Sequence, residues 1–244
     1  MTALSARAIT VRYGGVVAVD EVDVAVEEGQ VLGVIGPNGA GKSSLVDAVT
    51  GLTRCSGVVE LDGVDVSRLR VHQRAVAGLS RTWQTVELFA DLTVAENLRV
   101  VRSRRIRHSA EFEIEEALDL LGVADTRELL PGELPLGKRK LVGVARALVA
   151  RPRVICMDEP AAGLDSRESV ALGRSLRAVA AGGTAILLID HDMEMVLGTC
   201  DVLHVLNFGK TVAFGLPQDV RRDPAVLEAY LGETHEPEEM GHHG

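Results

Sequence analysis

Cysteine is scarce in this 244-residue chain: Cys55, Cys156 and Cys200 are the only three, and they lie far apart. That excludes a disulfide framework and the paired spacing of a zinc site, and it fits a reducing cytosol. Long apolar runs are missing too. The longest, such as Ala185–Ile189, are strand-sized, so any membrane association is expected to come through a partner. The N-terminal residues lack the charged start and apolar core of a secretory signal, which sets the expectation of a cytoplasmic chain. Positive charge is in deficit, with 26 Lys and Arg against 35 Asp and Glu, a net charge of −9. Surfaces that bind nucleic acid are usually basic, so no nucleic acid is expected as a partner. The one local basic run (Arg99, Arg102, Arg104, Arg105, Arg107 and His108) reads as a solvated helix face. No internal repeat is visible.

What is present is an ordinary globular composition, 46% hydrophobic and 25% charged, at a length suited to one unit with an inserted subdomain. Within it, Gly36-Pro37-Asn38-Gly39-Ala40-Gly41-Lys42-Ser43 follows the apolar stretch Val31–Ile35 and precedes the helix-like Ser44–Val49. Strand, glycine-rich loop and helix in that order match G-x-x-x-x-G-K-[ST], the P-loop or Walker A motif. The glycines let successive amides curl around a phosphate. A Cβ at Gly39 or Gly41 would block that approach or forbid the dihedrals. The helix opening at Lys42 adds unpaired amides and its positive dipole end. Lys42 supplies a point charge for the β/γ-phosphates, and the Ser43 hydroxyl is placed for Mg²⁺. The motif with both flanks implies binding of a nucleoside triphosphate.

Around this loop the pattern alternates between strand-like and helix-like segments, the mark of an α/β fold. Short alternating strands are expected at Ala8–Val11 and Val22–Val26. A hairpin is expected at Val58–Leu61 and Val64–Val66, turned at Asp62-Gly63. From Val71 the character becomes helical. Ile114, Ala117, Leu118 and Leu121 share one helix face, with Gly122 as a stop. Buried-type strands follow at Val154–Met157 and Ala185–Ile189. A final pair, Val202–Leu206 and Thr211–Phe214, turns at Phe208-Gly209-Lys210. The expectation is a P-loop α/β core spanning residues 4–233, with antiparallel strands on one side and a helical insert over about residues 85–149. The acidic tail 234–244, which holds His235, His242 and His243, has no periodicity and is expected to fray.

Val154-Ile155-Cys156-Met157-Asp158-Glu159 is an apolar strand ending in two carboxylates, the Walker B pattern. Asp158 is placed to hold Mg²⁺ beside Ser43, and Glu159 to polarise an attacking water. His191 ends a further apolar strand in Leu187-Leu188-Ile189-Asp190-His191-Asp192, within reach of a γ-phosphate. The Gln84 amide in Arg81-Thr82-Trp83-Gln84 is a further candidate for ordering Mg²⁺ and water.

With these motifs in this order the chain resembles the ATP-binding-cassette (ABC) ATPases over nearly its whole length. The resemblance implies that Tyr13 stacks on adenine, that Gln84 is the glutamine-loop residue, and that Glu159 and His191 are the catalytic glutamate and switch histidine. Ala162-Gly163-Leu164-Asp165 is similar to the D-loop. It implies ATP and Mg²⁺ as cofactors and a head-to-tail dimer, homo or hetero. Each ATP would then lie between one subunit's P-loop and the other's signature. The usual Leu-Ser-Gly-Gly-Gln aligns with Leu134-Pro135-Leu136-Gly137-Lys138. Pro135 has neither hydroxyl nor N–H, so the usual serine contact to the γ-phosphate is lost. Gly137 keeps the close backbone approach. A helix Lys138–Val149 is expected to aim its N-terminus at the anion, with Lys138 bringing a cation where the family has an amide.

Three stretches are similar to the ATPase subunits of branched-chain amino-acid importers: Leu79–Gln84, Leu206–Lys210 and Pro224–Glu233. None would touch the solute, so a urea or amide importer fits the same residues, and a lipid or polysaccharide exporter is the next reading. The resemblance implies transmembrane permease subunits as partners, a periplasmic or extracellular solute-binding protein acting indirectly, and a place on the inner face of the plasma membrane. A soluble ABC protein would carry two cassettes or a long coiled-coil insert. A P-loop kinase or GTPase would lack the set of Gln84, Leu134–Lys138 and His191.

Overall fold

The computed structural model describes residues 1–82, 88–101 and 110–231. The chain opens with β1 (Thr2–Tyr13) and β2 (Val16–Glu27), a long antiparallel hairpin turned at Gly14, where φ is 59°. Sequence alternation detects only the parts Ala8–Val11 and Val22–Val26. The cause is local: Ala8 (φ 51°) and Glu21 (φ 53°) sit at register shifts, and a bulge breaks the period of two.

β3 (Val31–Ile35), buried at every position, delivers the chain into the glycine loop and α1 (Lys42–Thr50). β4 (Ser56–Leu61) and β5 (Val64–Asp65) flank Asp62-Gly63, where φ is 48° and 76°, as a tight hairpin of primed type requires. These strands join the first hairpin in an antiparallel sheet of order β2-β1-β4-β5.

α2 (Val71–Ala77) stops at Gly78 (φ 114°), and the chain then forms β6 (Leu79–Thr82). The sequence reading, helical from Val71, passes over this strand. Leu-Ser-Arg-Thr has no apolar run. It is a strand because it pairs in parallel with Val154–Asp158, Leu79 opposite Val154 and Thr82 opposite Met157.

The helical part holds α3 (Val94–Arg99), capped by Thr93 with Glu96, then α4 (Ala110–Leu120) and α5 (Leu136–Leu148). Helix α5 opens two residues before the expected Lys138. Pro135 (φ −56°, ψ 154°) takes the cap position, so Leu136 is the first helical residue and Lys138 the third. Proline presets φ, and its missing N–H costs nothing where no intrahelical donor is needed.

β7 (Val154–Asp158), α6 (Ser166–Ala181), β8 (Ala185–Ile189), α7 (Met193–Thr199), β9 (Val202–Asn207), β10 (Lys210–Gly215), α8 (Pro217–Val220) and α9 (Pro224–Leu231) complete the chain. The main sheet has the order β10-β9-β3-β8-β7-β6, parallel throughout except for β10 at one edge. Alternate residues of its strands feed two cores. Ile155, Met157, Ile186 and Leu188 pack with the helical part, while Val154, Cys156, Leu187 and Ile189 pack with α1 and the antiparallel sheet. Burial pushes the Cys156 and Cys200 thiols up to about 12, so both sit there as apolar groups. β3, β8 and β7 are neighbours, so their C-terminal ends share one rim, where parallel sheets place ligands. The basic positions 102–108, Gln84 and the tail from residue 232 lie outside the described residues.

Candidate active site

The loop after β3 is shaped by its glycines. Gly36, Gly39 and Gly41 have φ of 147°, 75° and 101°. A Cβ on Gly41 would stand 2.3 Å from the Ala18 carbonyl oxygen, and one on Gly36 would stand 2.0 Å from that of Leu206. Both positions therefore exclude any larger residue. Gly39 meets nothing, and its requirement is dihedral alone. Pro37 and Ala40 are buried, Asn38 and Gly39 exposed. The first bond of α1 runs from Leu45 N to Gly41 O, and no side chain caps the helix at Gly41. The amides of Lys42, Ser43 and Ser44 thus precede the helical ladder at an end with its positive dipole outward, a cradle fit for phosphate. Lys42 Nζ lies against its own loop, donating to Gly36 O at 2.6 Å and Pro37 O at 2.7 Å.

Four candidate side chains meet on the shared rim. Ser43 Oγ, at the start of α1, is 3.5 Å from Asp158 Oδ1 at the end of β7. Glu159 follows Asp158, and its Oε1 is 3.9 Å from His191 Nδ1 beyond β8. His191 is 70% exposed at its side chain, open to an incoming group. Asp190 is buried and braces this turn, its Oδ1 accepting from the amides of His191 and Asp192 and its Oδ2 from Ala161 N. Tyr13, 48% exposed, ends β1; its hairpin abuts the loop, since Ala18 of β2 lies against Gly41.

The signature stretch and the D-loop lie together within this chain. Leu134 is buried, while Pro135 and Leu136 are exposed. A Cβ on Gly137 would stand 2.7 Å from Glu168 Oε1, and one on Gly163 would stand 3.3 Å from Leu136 Cδ2. Asp165 caps α6, accepting from the amides of Arg167 and Glu168, so here it does the work of a helix N-cap. Lys138 pairs with Asp125 at 2.6 Å, so its cation is shared with a neighbouring carboxylate.

Two residues escape sequence reasoning. Arg81 on β6, 9% exposed at its side chain, bridges Asp158 Oδ2 at 3.2 Å and Asp47 of α1. It holds one oxygen of the Asp158 carboxylate and leaves the other toward Ser43. Lys140 of α5 is buried and donates to Pro160 O at 2.6 Å. A faint signal existed: Lys140 falls on the i, i+4 row between Leu136 and Val144, a cation in an apolar stripe.

This fold, with a glycine cradle facing a strand-end carboxylate pair, defines an ATP-binding cassette. The family model described as ABC transporter matches residues 19–162, and the chain belongs to that family, whose members include the ATP-hydrolysing subunits of transporters. A second model, described as branched-chain amino acid ATP-binding cassette transporter, matches residues 210–236. The chain is 36% identical to the high-affinity branched-chain amino acid transport ATP-binding protein BraF of Pseudomonas aeruginosa, over 95% of this chain and 98% of BraF. It is 32% identical to the lipopolysaccharide export ATP-binding protein LptB of Escherichia coli, over 96% and 98% of the two chains. Among solved structures, the ADP conformation of the ATP-binding cassette MJ1267 matches with a TM-score of 0.83 and 29% identity, over 95% of this chain and 99% of that one.

Proposed function

We propose that this chain binds Mg²⁺-ATP on its P-loop and hydrolyses it to power a branched-chain amino-acid importer. The observation that carries the site assignment is the convergence of Ser43, Asp158, Glu159 and His191 on one rim beside the glycine cradle. The amides of Lys42, Ser43 and Ser44, with free amides of the glycine loop, hold the β- and γ-phosphates, and Lys42 moves from its loop carbonyls onto them. Tyr13 stacks on adenine. Ser43 and Asp158, with Gln84, would hold Mg²⁺, which would supply positive charge against the phosphate. Glu159 accepts a proton from the attacking water, and His191 donates toward the γ-phosphate oxygens. A second ABC subunit presents its own residues 134–138 to the far side of that phosphate.

The import reading rests on the model matching residues 210–236 and on the likeness to BraF. LptB matches over a similar share of the chain but at lower identity, 32% against 36%, so the export reading has less support. No helix among the described residues is long and apolar enough to cross a membrane, which fits a subunit docked on permease partners at the inner face of the membrane. The test is to purify the chain with its permease subunits and cognate solute-binding protein and reconstitute them in vesicles. Leucine, isoleucine or valine on the binding protein should stimulate ATP hydrolysis severalfold. Stimulation by urea or short amides instead, or by a lipid with no binding protein needed, overturns the substrate.

A further inference from the structure

Glu159 adopts φ of 49°, the left-handed region that a residue with a side chain seldom enters. The contacts that hold the turn are visible. From the side of β8, Ile189 O accepts from Glu159 N at 2.8 Å, and Asp190 Oδ2 accepts from Ala161 N at 2.9 Å. Within the turn, Ala162 N donates to Glu159 O at 3.1 Å. Lys140, 6% exposed, reaches from α5 and donates to Pro160 O at 2.6 Å, one residue beyond the strained carboxylate.

A buried ammonium is costly, and a methionine or leucine would fill the same apolar stripe without that cost. Desolvation pushes the Lys140 ammonium down from its ordinary value, while Asp190 and Glu159 pull it up. The cation thus lies in the field of the catalytic turn. Its helix also opens with the signature residues, and Leu136 and Gly137 touch Gly163 and Glu168 on the same stretch.

We propose that Lys140 is a positioning residue for hydrolysis, holding the strained turn at Pro160 so that the Glu159 carboxylate points at the attacking water. It ties the helix that serves a neighbouring subunit's ATP to the carboxylate that serves this chain's own. The inference rests on the assignment of Glu159 as the water-activating group.

The test uses the assembled transporter and three substitutions. Lys140→Met removes charge and donor at similar length, and should lower kcat by about tenfold to a hundredfold, the cost of a misplaced group. Its KM for ATP, and the nucleotide affinity of the free chain, should stay within about twofold. Lys140→Arg keeps the cation and the donor and should restore most of kcat. In a Glu159→Gln background, where the carboxylate is already gone, Lys140→Met should leave the residual single-turnover rate unchanged. Should Lys140→Met fail to fold, Lys140→Leu, which likewise lacks charge and donor, carries the same comparison. Wild-type kcat in a folded variant, absence of rescue by arginine, or an equal loss in the Glu159→Gln background overturns the proposal. Undiminished turnover in Glu159→Gln alone would instead remove the assignment on which it rests.

Discussion

Ser43 Oγ and Asp158 Oδ1 stand 3.5 Å apart although 115 residues separate them in the chain. The sheet order makes this contact: β3 and β7 both flank β8 in parallel, so the loop after one strand faces the carboxylate ending the other. Arg81 fixes the second Asp158 oxygen. The pair leaves a hydroxyl and a carboxylate oxygen turned toward each other, the donor set of a hard cation.

Assembly follows from the position of Pro135 and Leu136, exposed at the end of α5. In the proposed sandwich they complete a neighbour's site. The isolated chain should be mainly monomeric, and Mg²⁺-ATP should drive dimers when Glu159→Gln slows hydrolysis. Light scattering should show the 26.0 kDa mass doubling. A Glu159→Gln chain that binds ATP and stays at monomer mass counts against the sandwich.

The proline of the signature makes a second prediction. Its cap position is one where serine would also serve, and serine would add the hydroxyl that Pro135 lacks. One neutral hydrogen bond contributes about 0.5–1.5 kcal/mol net, roughly twofold to tenfold in a rate or equilibrium. Pro135→Ser should raise ATP-dependent dimerisation or steady-state hydrolysis by that factor, leaving nucleotide binding by the monomer unchanged. Equal or slower turnover would mean that the helix amides already supply what serine would.

A third prediction concerns acid stability. His204 on β9 is 2% exposed, shares a 2.8 Å bond between Nε2 and Thr211 Oγ1, and meets the Phe214 ring edge-on at 5.8 Å. Burial pushes it down to about 4. The folded chain therefore keeps this ring neutral, while the unfolded chain protonates it near the ordinary value of about 6.5. Its contribution is complete above about pH 6.5 and is lost as pH falls toward 4, by about 2–3 kcal/mol. His204→Gln cannot titrate, so its fall in Tm between pH 7 and 4.5 should be smaller than that of wild type. Parallel losses in both proteins would assign the acid sensitivity elsewhere.

Much of this architecture is legible because it is local. The P-loop, the Asp62-Gly63 hairpin, β8 and the α4 stop at Gly122 each combine periodicity with turn chemistry in a short window. What sequence misses depends on partners distant in the chain. Strand β6 exists through pairing with β7; the first hairpin is the exception, its local bulges at Ala8 and Glu21 hiding more than half of it. The same holds in the site. Lys42, Ser43, Asp158 and Glu159 announce themselves by motif, whereas Arg81 and Lys140 have meaning only once β6 and α5 are folded against β7 and its following turn.

The most direct test separates holding ATP from splitting it, in one preparation measured by nucleotide binding and phosphate release. Lys42→Ala removes the cation for the β- and γ-phosphates and should lose both. Glu159→Gln keeps the cradle and removes the proton acceptor, so it should bind ATP like wild type while hydrolysis falls by about 10²–10⁴-fold. His191→Ala should follow Glu159→Gln rather than Lys42→Ala. Wild-type phosphate release by Glu159→Gln would contradict the account at its centre.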